Sequence, residues 1–193
     1  MKILLILIIF VVTASIFVSR MTANTSVLSS SGLNKNTYDA TTPTISDYGP
    51  APEFVGLTKW LNPDDHALSI AQLKGKVVLV DFWTLGCINC IHTLPYVTKW
   101  YDTYKDQGLI VIGIHTPEFA YEHETNNVRA AITQHNIHFP VAQDNNFETW
   151  KAYNNQYWPA YYLIDKKGVI RYQHFGEGEY QIVESTIQSL LKE

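Results

Sequence analysis

The sequence predicts an α/β fold, a three-layer sandwich in which helices cover both faces of a central mixed sheet. The first observation is a pair of apolar runs, Val77–Val80 and Leu109–Ile114, whose β-branched residues are typical of strands buried on both faces. The second is the helical periodicity between these runs, which indicates a crossover helix joining two parallel strands. The third is the turn sequence Asp165–Gly168 between two further apolar runs, which indicates an antiparallel hairpin.

Length and composition exclude several classes of protein. The 193 residues suffice for one domain with extensions. The net charge is −4, and the 14 basic residues are scattered, so no basic patch for nucleic acid is expected. Two cysteines are too few for a disulfide framework, and no second Cys-x-x-Cys or His-x-x-x-His group completes a zinc site. We therefore expect no nucleic-acid partner, no metal and no other cofactor.

Residues 1–20 are predicted to be a targeting segment. Lys2 precedes an unbroken apolar stretch, Ile3–Val12, and the apolar character ends at Val18. This is shorter than the roughly 20 residues that span a bilayer comfortably. The segment is therefore either a signal peptide cleaved after Ala14 or an uncleaved membrane anchor, and the sequence leaves both open. Either one exports the rest of the chain and leaves Lys2 on the cytoplasmic side.

Residues 21–50 are predicted to be a flexible linker, because they are rich in Ser, Thr and Asn and have little apolar periodicity. The predicted domain then covers residues 51–193. In its first part, Phe54–Trp60 and Leu68–Leu73 flank the turn sequence Asn62–Asp65, which predicts a short hairpin and a connecting segment.

Strands and helices alternate through the rest of this domain. The strands are expected at Val77–Trp83, Leu109–Ile114, around Phe139–Val141, at Ala160–Ile164 and at Val169–Phe175. The helices are expected directly after Cys87 and at Asn126–His135, Asn146–Tyr153 and Glu179–Leu191.

The only two cysteines of the chain, Cys87 and Cys90, stand between the first long strand and its helix. Apolar residues follow at spacings of three and four, as in an amphipathic helix: Ile91, Leu94, Val97, Tyr101 and Tyr104. Cys87 is therefore expected at a helix N-terminus, where free amides and the helix dipole stabilise a thiolate and lower its pKa. Cys90, one turn later, is expected to be more buried. A disulfide across so small a loop stabilises little, so redox chemistry explains the pair better than stability.

Two further residues belong to this stretch. Asp81 lies on the predicted strand six residues before Cys87, and its apolar neighbours predict burial. Burial raises the pKa of a carboxyl group, which suits it to exchange a proton with Cys90. Pro95 lies inside the predicted helix, where it removes a backbone hydrogen bond and kinks the axis.

These residues resemble the thioredoxin superfamily, in which VDFW-x-x-x-C-x-x-C occurs together with a helix proline and a later cis-proline. The chain is similar to the periplasmic thioredoxin-like domain at the C-terminus of DipZ-type proteins, a TlpA-like group. The similarity covers Ala51–Glu193 and predicts a thioredoxin-like sandwich. The matching segments are Phe82–Tyr96, His115–Phe119, Tyr157–Asp165 and His174–Gly178.

The resemblance implies further site residues. Pro159 is expected to form the cis peptide bond and to face the cysteines, with backbone groups beside it that bind a substrate chain. Trp83, Glu118 and Trp158 are expected to support the site.

The chain also departs from its relatives. Many TlpA-like proteins carry asparagine where this chain has Asp81 and glutamate where it has Thr93, so the acid–base role here falls on Asp81. Thr84-x-x-Cys87 matches part of a peroxiredoxin pattern, but that pattern has proline where this chain has Val80, so we do not predict peroxidase chemistry.

The residues and the resemblance together predict an exported thiol–disulfide oxidoreductase that acts on protein disulfides, with Cys87 as nucleophile and Cys90 as resolving thiol. A reductase is favoured, because such domains receive electrons from a membrane carrier, here a separate protein of CcdA/DsbD type. The expected location is periplasmic or otherwise extracytoplasmic, at the inner membrane if residues 1–20 are an anchor, and the expected process is cytochrome c biogenesis. The alternative is a copper carrier that binds the metal through Cys87, Cys90 and a histidine.

Overall fold

The strand β2 (Val77–Trp83) lies inside the sheet, and all seven of its residues are buried. A computed structural model describes residue 43 and residues 45–62 and 66–193 of the chain. In it β2 pairs in parallel with β3 (Leu109–His115) and antiparallel with β5 (Ala160–Ile164). Because neither face of β2 meets solvent, a continuous apolar run is the sequence that such a strand needs.

Three shorter strands complete a mixed sheet. They are β1 (Lys59–Leu61), β4 (Val141–Gln143) and β6 (Ile170–Phe175). The six strands lie in the order β1-β4-β3-β2-β5-β6. The strand β4 runs parallel to β3, whereas β1 and β6 run antiparallel to their neighbours. The predicted α/β fold with a mixed sheet is confirmed.

The helices fall close to their predicted places. They are α1 (Ile88–Tyr104), α2 (Thr125–Gln134), α3 (Glu148–Ala152) and α4 (Tyr180–Leu191). The helix α3 is shorter than predicted, because Phe147 has a left-handed backbone (φ 60°) and the carboxylate of Asp144 accepts hydrogen bonds from the first amides of the helix. Pro95 lies inside α1, at an exposed position.

Alternation along β2 divides the core into two clusters, one on each face of the sheet. One cluster contains Val77, Leu79 and Trp83 with residues of α1, α2 and α4, and the other contains Val78, Val80 and Phe82 with Trp150, Tyr153 and residues from the segment before β2. Because side chains alternate along a strand, Asp81 shares the face of Leu79 and Trp83 and therefore points towards the layer that holds α1.

The predicted hairpin near the start of the domain is wrong. The strand β1 pairs with β4, with Trp60 opposite Ala142, and residues 71–73 form a short 3-10 helix. The carboxylate of Glu53 accepts hydrogen bonds from the amides of Ile70 and Ala71, at 2.9 and 2.8 Å, and so begins that turn. Ile70 then packs into the core cluster instead of pairing in a strand.

Residues shortly before Ala51 hydrogen-bond to the β5–β6 hairpin. The amide of Ser46 donates to the carbonyl of Arg171, and that of Tyr48 to the carbonyl of Ile170, both at 3.0 Å. These bonds lie ahead of the boundary predicted at residue 51. The predicted targeting segment 1–20 and residues 21–42 of the predicted linker lie outside the described residues. Within the described part, no helix has both the length and the apolar character needed to cross a membrane.

Candidate active site

Cys87 is the N-cap residue of α1. The strand β2 ends at Trp83, a short turn follows, and Cys87 has an extended backbone (φ −83°, ψ 113°) before the helix begins. Its Sγ accepts a hydrogen bond from the amide of Cys90 at 3.3 Å. The side chain of Cys87 thus takes the place that a serine or aspartate occupies in an ordinary helix cap.

This position lowers the pKa of Cys87 to about 6. The largest cause is a hydrogen bond from the thiol of Cys90, which burial opposes, and the amides of Cys90 and Asn89 lower the pKa further. The charge of Glu118 acts in the opposite direction. At neutral pH the partly exposed Cys87 is therefore mainly a thiolate, the form that attacks disulfides.

Cys90 has the opposite environment. It is fully buried in the core cluster below α1. Burial, followed by its hydrogen bond to the Cys87 sulfur, raises the pKa of Cys90 far above its ordinary value. The two thiols, only three residues apart, therefore differ strongly in acidity, and the partly exposed Cys87 is the more acidic of the two.

Asp81 is fully buried, and neither of its carboxyl oxygens has a hydrogen-bond partner among the described residues. Burial and then the charge of Cys87 raise the pKa of Asp81 to about 8. The charge of Asp81 in turn contributes to the raised pKa of Cys90, so Asp81 and Cys90 are electrostatically coupled. The predicted burial of Asp81 is confirmed, and its pKa lies close to the range in which a carboxyl group exchanges protons near neutral pH.

The loop of Pro159 lies beside the end of β2. The Trp158–Pro159 peptide bond is cis, as the resemblance implied, and the next residue, Ala160, pairs with Phe82. The indole Nε1 of Trp158 donates to the carbonyl of Thr116 at 3.1 Å, which ties this loop to the segment after β3. Trp158 also packs against Trp150, with 4.3 Å between the ring centroids.

The other predicted supporting residues lie in different surroundings. Trp83 is fully buried, and its ring centroid lies 5.1 Å from that of His115. His115 is buried as well, and burial lowers its pKa to about 4, so its imidazole is neutral. Glu118 is exposed, and its charge acts on Cys87 by raising the pKa of that thiol.

Sequence reasoning missed three residues of this region. Tyr161 stands directly opposite Asp81 on β5 and is fully buried, and burial followed by the charge of Asp81 raises its pKa well above the ordinary value. The hydroxyl of Thr93 donates to the carbonyl of Cys90 at 2.8 Å. Glu122 is a fully buried carboxylate that accepts a hydrogen bond from the amide of Gly86, next to Cys87. Local sequence could not identify Tyr161, because its place opposite Asp81 depends on the register between β5 and β2.

The histidines and acids that the structure describes lie too far apart to form a metal site. Among residues 43, 45–62 and 66–193, no group of three or more His, Cys, Asp or Glu side chains is placed to hold a metal ion. The histidine nearest to the cysteines in sequence, His92, is exposed, and its Nδ1 lies 3.2 Å from a carboxylate oxygen of Glu177.

The fold and the cysteine pair agree with the comparisons to known proteins. The model of the AhpC/TSA family matches residues 49–173. The chain belongs to this family. Its fold is thioredoxin-like: a thiol–disulfide isomerase from Corynebacterium glutamicum superposes with a TM-score of 0.66 at 30% identity, over 74% of this chain and 97% of that one.

Two relatives show what kind of protein the family contains. DipZ of Mycobacterium tuberculosis is 48% identical over 150 residues, which are 77% of this chain but only 22% of DipZ. The thiol–disulfide oxidoreductase YkuV of Bacillus subtilis is 31% identical over 145 residues, 75% of this chain and 95% of YkuV. Relatives and structural neighbours thus include thiol–disulfide oxidoreductases of thioredoxin type.

We expect the two thiols to titrate far apart. Alkylation of Cys87 should show a midpoint near pH 6, and Cys90 should stay unreactive near neutral pH. In Cys90→Ala the midpoint for Cys87 should rise, because the variant loses the thiol hydrogen bond that lowers this pKa most. Mass spectrometry after alkylation over a pH series identifies the reacting thiol. Equal reactivity of both thiols at neutral pH would contradict this assignment.

We expect Asp81→Asn to change how stability depends on pH. The pKa of Asp81 rises from 3.8 to about 8 on folding, so the native state keeps a proton that the unfolded state has lost. The stability that depends on this proton is fully present below the pKa of Asp81 in the unfolded state. It is lost as the pH rises through the pKa of Asp81 in the native state. The free energy of unfolding of Asp81→Asn, relative to wild type, should therefore increase between these two pH values in urea titrations. Asp106→Asn, at an exposed position, is the matched control, and parallel curves for Asp81→Asn and wild type would refute the prediction.

Proposed function

We propose that this chain is an exported thiol–disulfide oxidoreductase that reduces disulfides in other proteins. The observation that supports this most directly is the asymmetry of the cysteine pair. Cys87 is partly exposed, lies at a helix N-terminus and is a thiolate at neutral pH, whereas Cys90 lies three residues further on, buried and protonated. Disulfide exchange by a dithiol needs these two different thiols in one place.

The first step is attack by the Cys87 thiolate on one sulfur of the substrate disulfide. The substrate S–S bond breaks, one substrate sulfur leaves as a thiolate, and a mixed disulfide joins Cys87 to the substrate. Cys90 then attacks the sulfur of Cys87, and the second substrate thiolate leaves. The substrate gains two electrons, and the Cys87–Cys90 pair becomes a disulfide.

Asp81 takes the proton that Cys90 must lose. The charge of Cys87 helps to raise the pKa values of both Asp81 and Cys90. Formation of the mixed disulfide removes that charge, so both pKa values fall. A larger fraction of Asp81 is then ionised, and Cys90 becomes easier to deprotonate at the same time. Attack by Cys90 is therefore favoured only after the mixed disulfide has formed.

Exposed apolar side chains surround the nucleophile. Ile88 lies between the two cysteines and is 60% exposed, and Phe119 is 50% exposed in the segment that also contains Glu118. We assign to them contacts with apolar residues beside the substrate disulfide. Trp158 holds the Pro159 loop in place, and backbone groups of that loop bind the substrate chain.

The charges near Cys87 favour a reductase. No Lys or Arg occurs between Lys76 and Lys99, and the carboxylate of Glu118 raises the pKa of Cys87. A pKa of about 6 for Cys87 lies closer to the thioredoxin value of about 7 than to the value of about 3.5 in the strong oxidant DsbA. A less stabilised thiolate means a less stabilised reduced form and hence a more reducing couple.

The cellular setting is part of the proposal. We propose residues 1–20 as signal peptide or anchor, 21–50 as linker and 51–193 as the catalytic domain, in the periplasm or an equivalent compartment. A membrane dithiol carrier of CcdA/DsbD type then returns two electrons to the Cys87–Cys90 disulfide, and cytochrome c biogenesis is the process served. The resemblance of residues 51–193 to the periplasmic domain of DipZ-type proteins supports the extracytoplasmic location.

No specific observation favours the other chemistries considered. The copper site considered above consists of Cys87, Cys90 and a histidine, and the part of the chain described by the structure has no such group of three or more ligating side chains. The peroxiredoxin pattern needs proline at the position of Val80, which lies within β2 opposite Ile112 and Tyr162.

The redox potential tests the direction of the reaction. For a reductase we expect a value near that of thioredoxin, about −270 mV, because the acidic surroundings limit how far the Cys87 thiolate is stabilised. Equilibration of the domain against a glutathione series, read by the thiol content of Cys87 and Cys90, gives the value. A potential above about −150 mV would overturn the reductase assignment.

Asp81→Asn should slow the resolving step more than the attack, because an amide cannot accept the Cys90 proton. The mixed disulfide should accumulate in rapid-mixing experiments with a disulfide-bonded model protein near neutral pH, while the initial attack rate changes little. Asp106→Asn should behave like wild type, since its side chain is exposed and no contact links it to the site. Wild-type levels of the intermediate in Asp81→Asn would remove Asp81 from the mechanism.

A further inference from the structure

Glu122 is a carboxylate enclosed beside the nucleophile without being one of the residues that react. It lies in the 3-10 segment Ala120–His123 and is 0% exposed. Its Oε1 accepts a hydrogen bond from the amide of Gly86 at 2.8 Å. Its Oε2 accepts two more, from the amides of Glu118 and Phe119 at 2.5 and 2.9 Å. One side chain thus joins the turn before Cys87 to the segment after β3.

Gly86 has no side chain, and its backbone lies very close to this carboxylate. A Cβ atom on Gly86 would lie 2.5 Å from Oε1 of Glu122 and 2.5 Å from the hydroxyl of Tyr121. A side chain at this position would therefore force the Glu122 carboxylate and the Tyr121 hydroxyl to move away from the turn. The contact is therefore specific to the pair, and either partner can be changed to break it.

The bonds of Glu122 explain why its charge can be buried. Burial by itself raises the pKa of this carboxyl group, but hydrogen bonds from backbone amides and from the hydroxyl of Thr84 outweigh it, and the net pKa is lowered. The titratable side chains around it are His115, His123, Tyr121 and Glu118. Since His115 is neutral, amide dipoles rather than a buried cation hold the carboxylate, and amides are directional partners.

We propose that Glu122 is a positioning residue, which fixes the turn at Gly86 and thereby keeps the sulfur of Cys87 aligned with the first amides of α1. Gly86 directly precedes the N-cap, so its orientation determines where the helix cap begins. Loss of the bond frees the turn and weakens the contact between the Cys87 sulfur and the amide of Cys90, now 3.3 Å. The catalytic meaning of this role rests on the proposed function, whereas the effect on Cys87 does not.

The test compares Glu122→Ala, Gly86→Ala and the double variant, with alkylation of Cys87 over a pH series as readout. Each single change should raise the midpoint by about one pH unit, which lowers the thiolate fraction at pH 6 about fivefold from that of a thiol with a pKa of about 6. Because both changes break the same contact, the double variant should add little to either single one. Glu122→Gln, which keeps one acceptor oxygen, should fall between wild type and Glu122→Ala.

Glu124→Ala is the matched control, because it removes an exposed acid from the same segment and should leave the Cys87 midpoint unchanged. Circular dichroism establishes that each variant is folded. Folded Glu122→Ala with a wild-type midpoint would overturn the proposal, as would full additivity in the double variant. If Glu122→Ala does not fold, the Cys87 midpoints of Gly86→Ala and Glu122→Gln test the proposal instead. If these variants do not fold either, Glu122 stabilises the fold and the proposal is wrong. The alkylation test needs no protein substrate. If the wild-type protein reduces no protein disulfide, the proposed function is refuted, but the role of Glu122 can still be tested.

Discussion

The rest of the structure depends on the burial of β2 on both faces. Every residue of this strand is enclosed, including Asp81. An ionised carboxylate without a partner is unfavourable in such surroundings. Because no cation from the described part of the chain lies beside Asp81, burial raises its pKa and favours the protonated form. The same strand ends at Trp83 and leads through Gly86 into the helix cap at Cys87. A packing constraint thus accounts both for the raised pKa of Asp81, the proposed proton acceptor, and for the place of Cys87, the proposed nucleophile.

The two thiols gain their different acidities from the hydrogen bond between them, from backbone amides and from the burial of Cys90, without help from a basic side chain. Cys87 lies beside the amides at the start of α1 and is partly exposed to solvent, whereas Cys90 is buried in the core. The charge of Glu118 raises the pKa of Cys87 and so opposes the hydrogen bonds that stabilise its thiolate. A thiolate that is stabilised only moderately is the expected result of these two effects, and it is the electrostatic basis for proposing a reductase.

Local patterns predicted the long elements well and the short ones poorly. The strands β2, β3 and β5 and the helices α1 and α4 follow from apolar runs or helical periods that many residues share. The strand β1 has three residues, too few for a pattern, and its partner β4 lies far away in the chain. The predicted hairpin failed for this reason, and the carboxylate of Glu53 instead caps a 3-10 turn after the predicted turn sequence.

The sequence by itself determined the strand–turn–helix unit, the N-terminal place of Cys87 and the burial of Asp81, because these depend on neighbours within a few residues. The family resemblance added the cis bond before Pro159. Only the tertiary structure decided that Tyr161 stands opposite Asp81 and that Glu122 reaches Gly86, 36 residues earlier in the chain. Such contacts join residues whose local surroundings carry no sign of one another, so strand register and loop packing must form before the partners are defined.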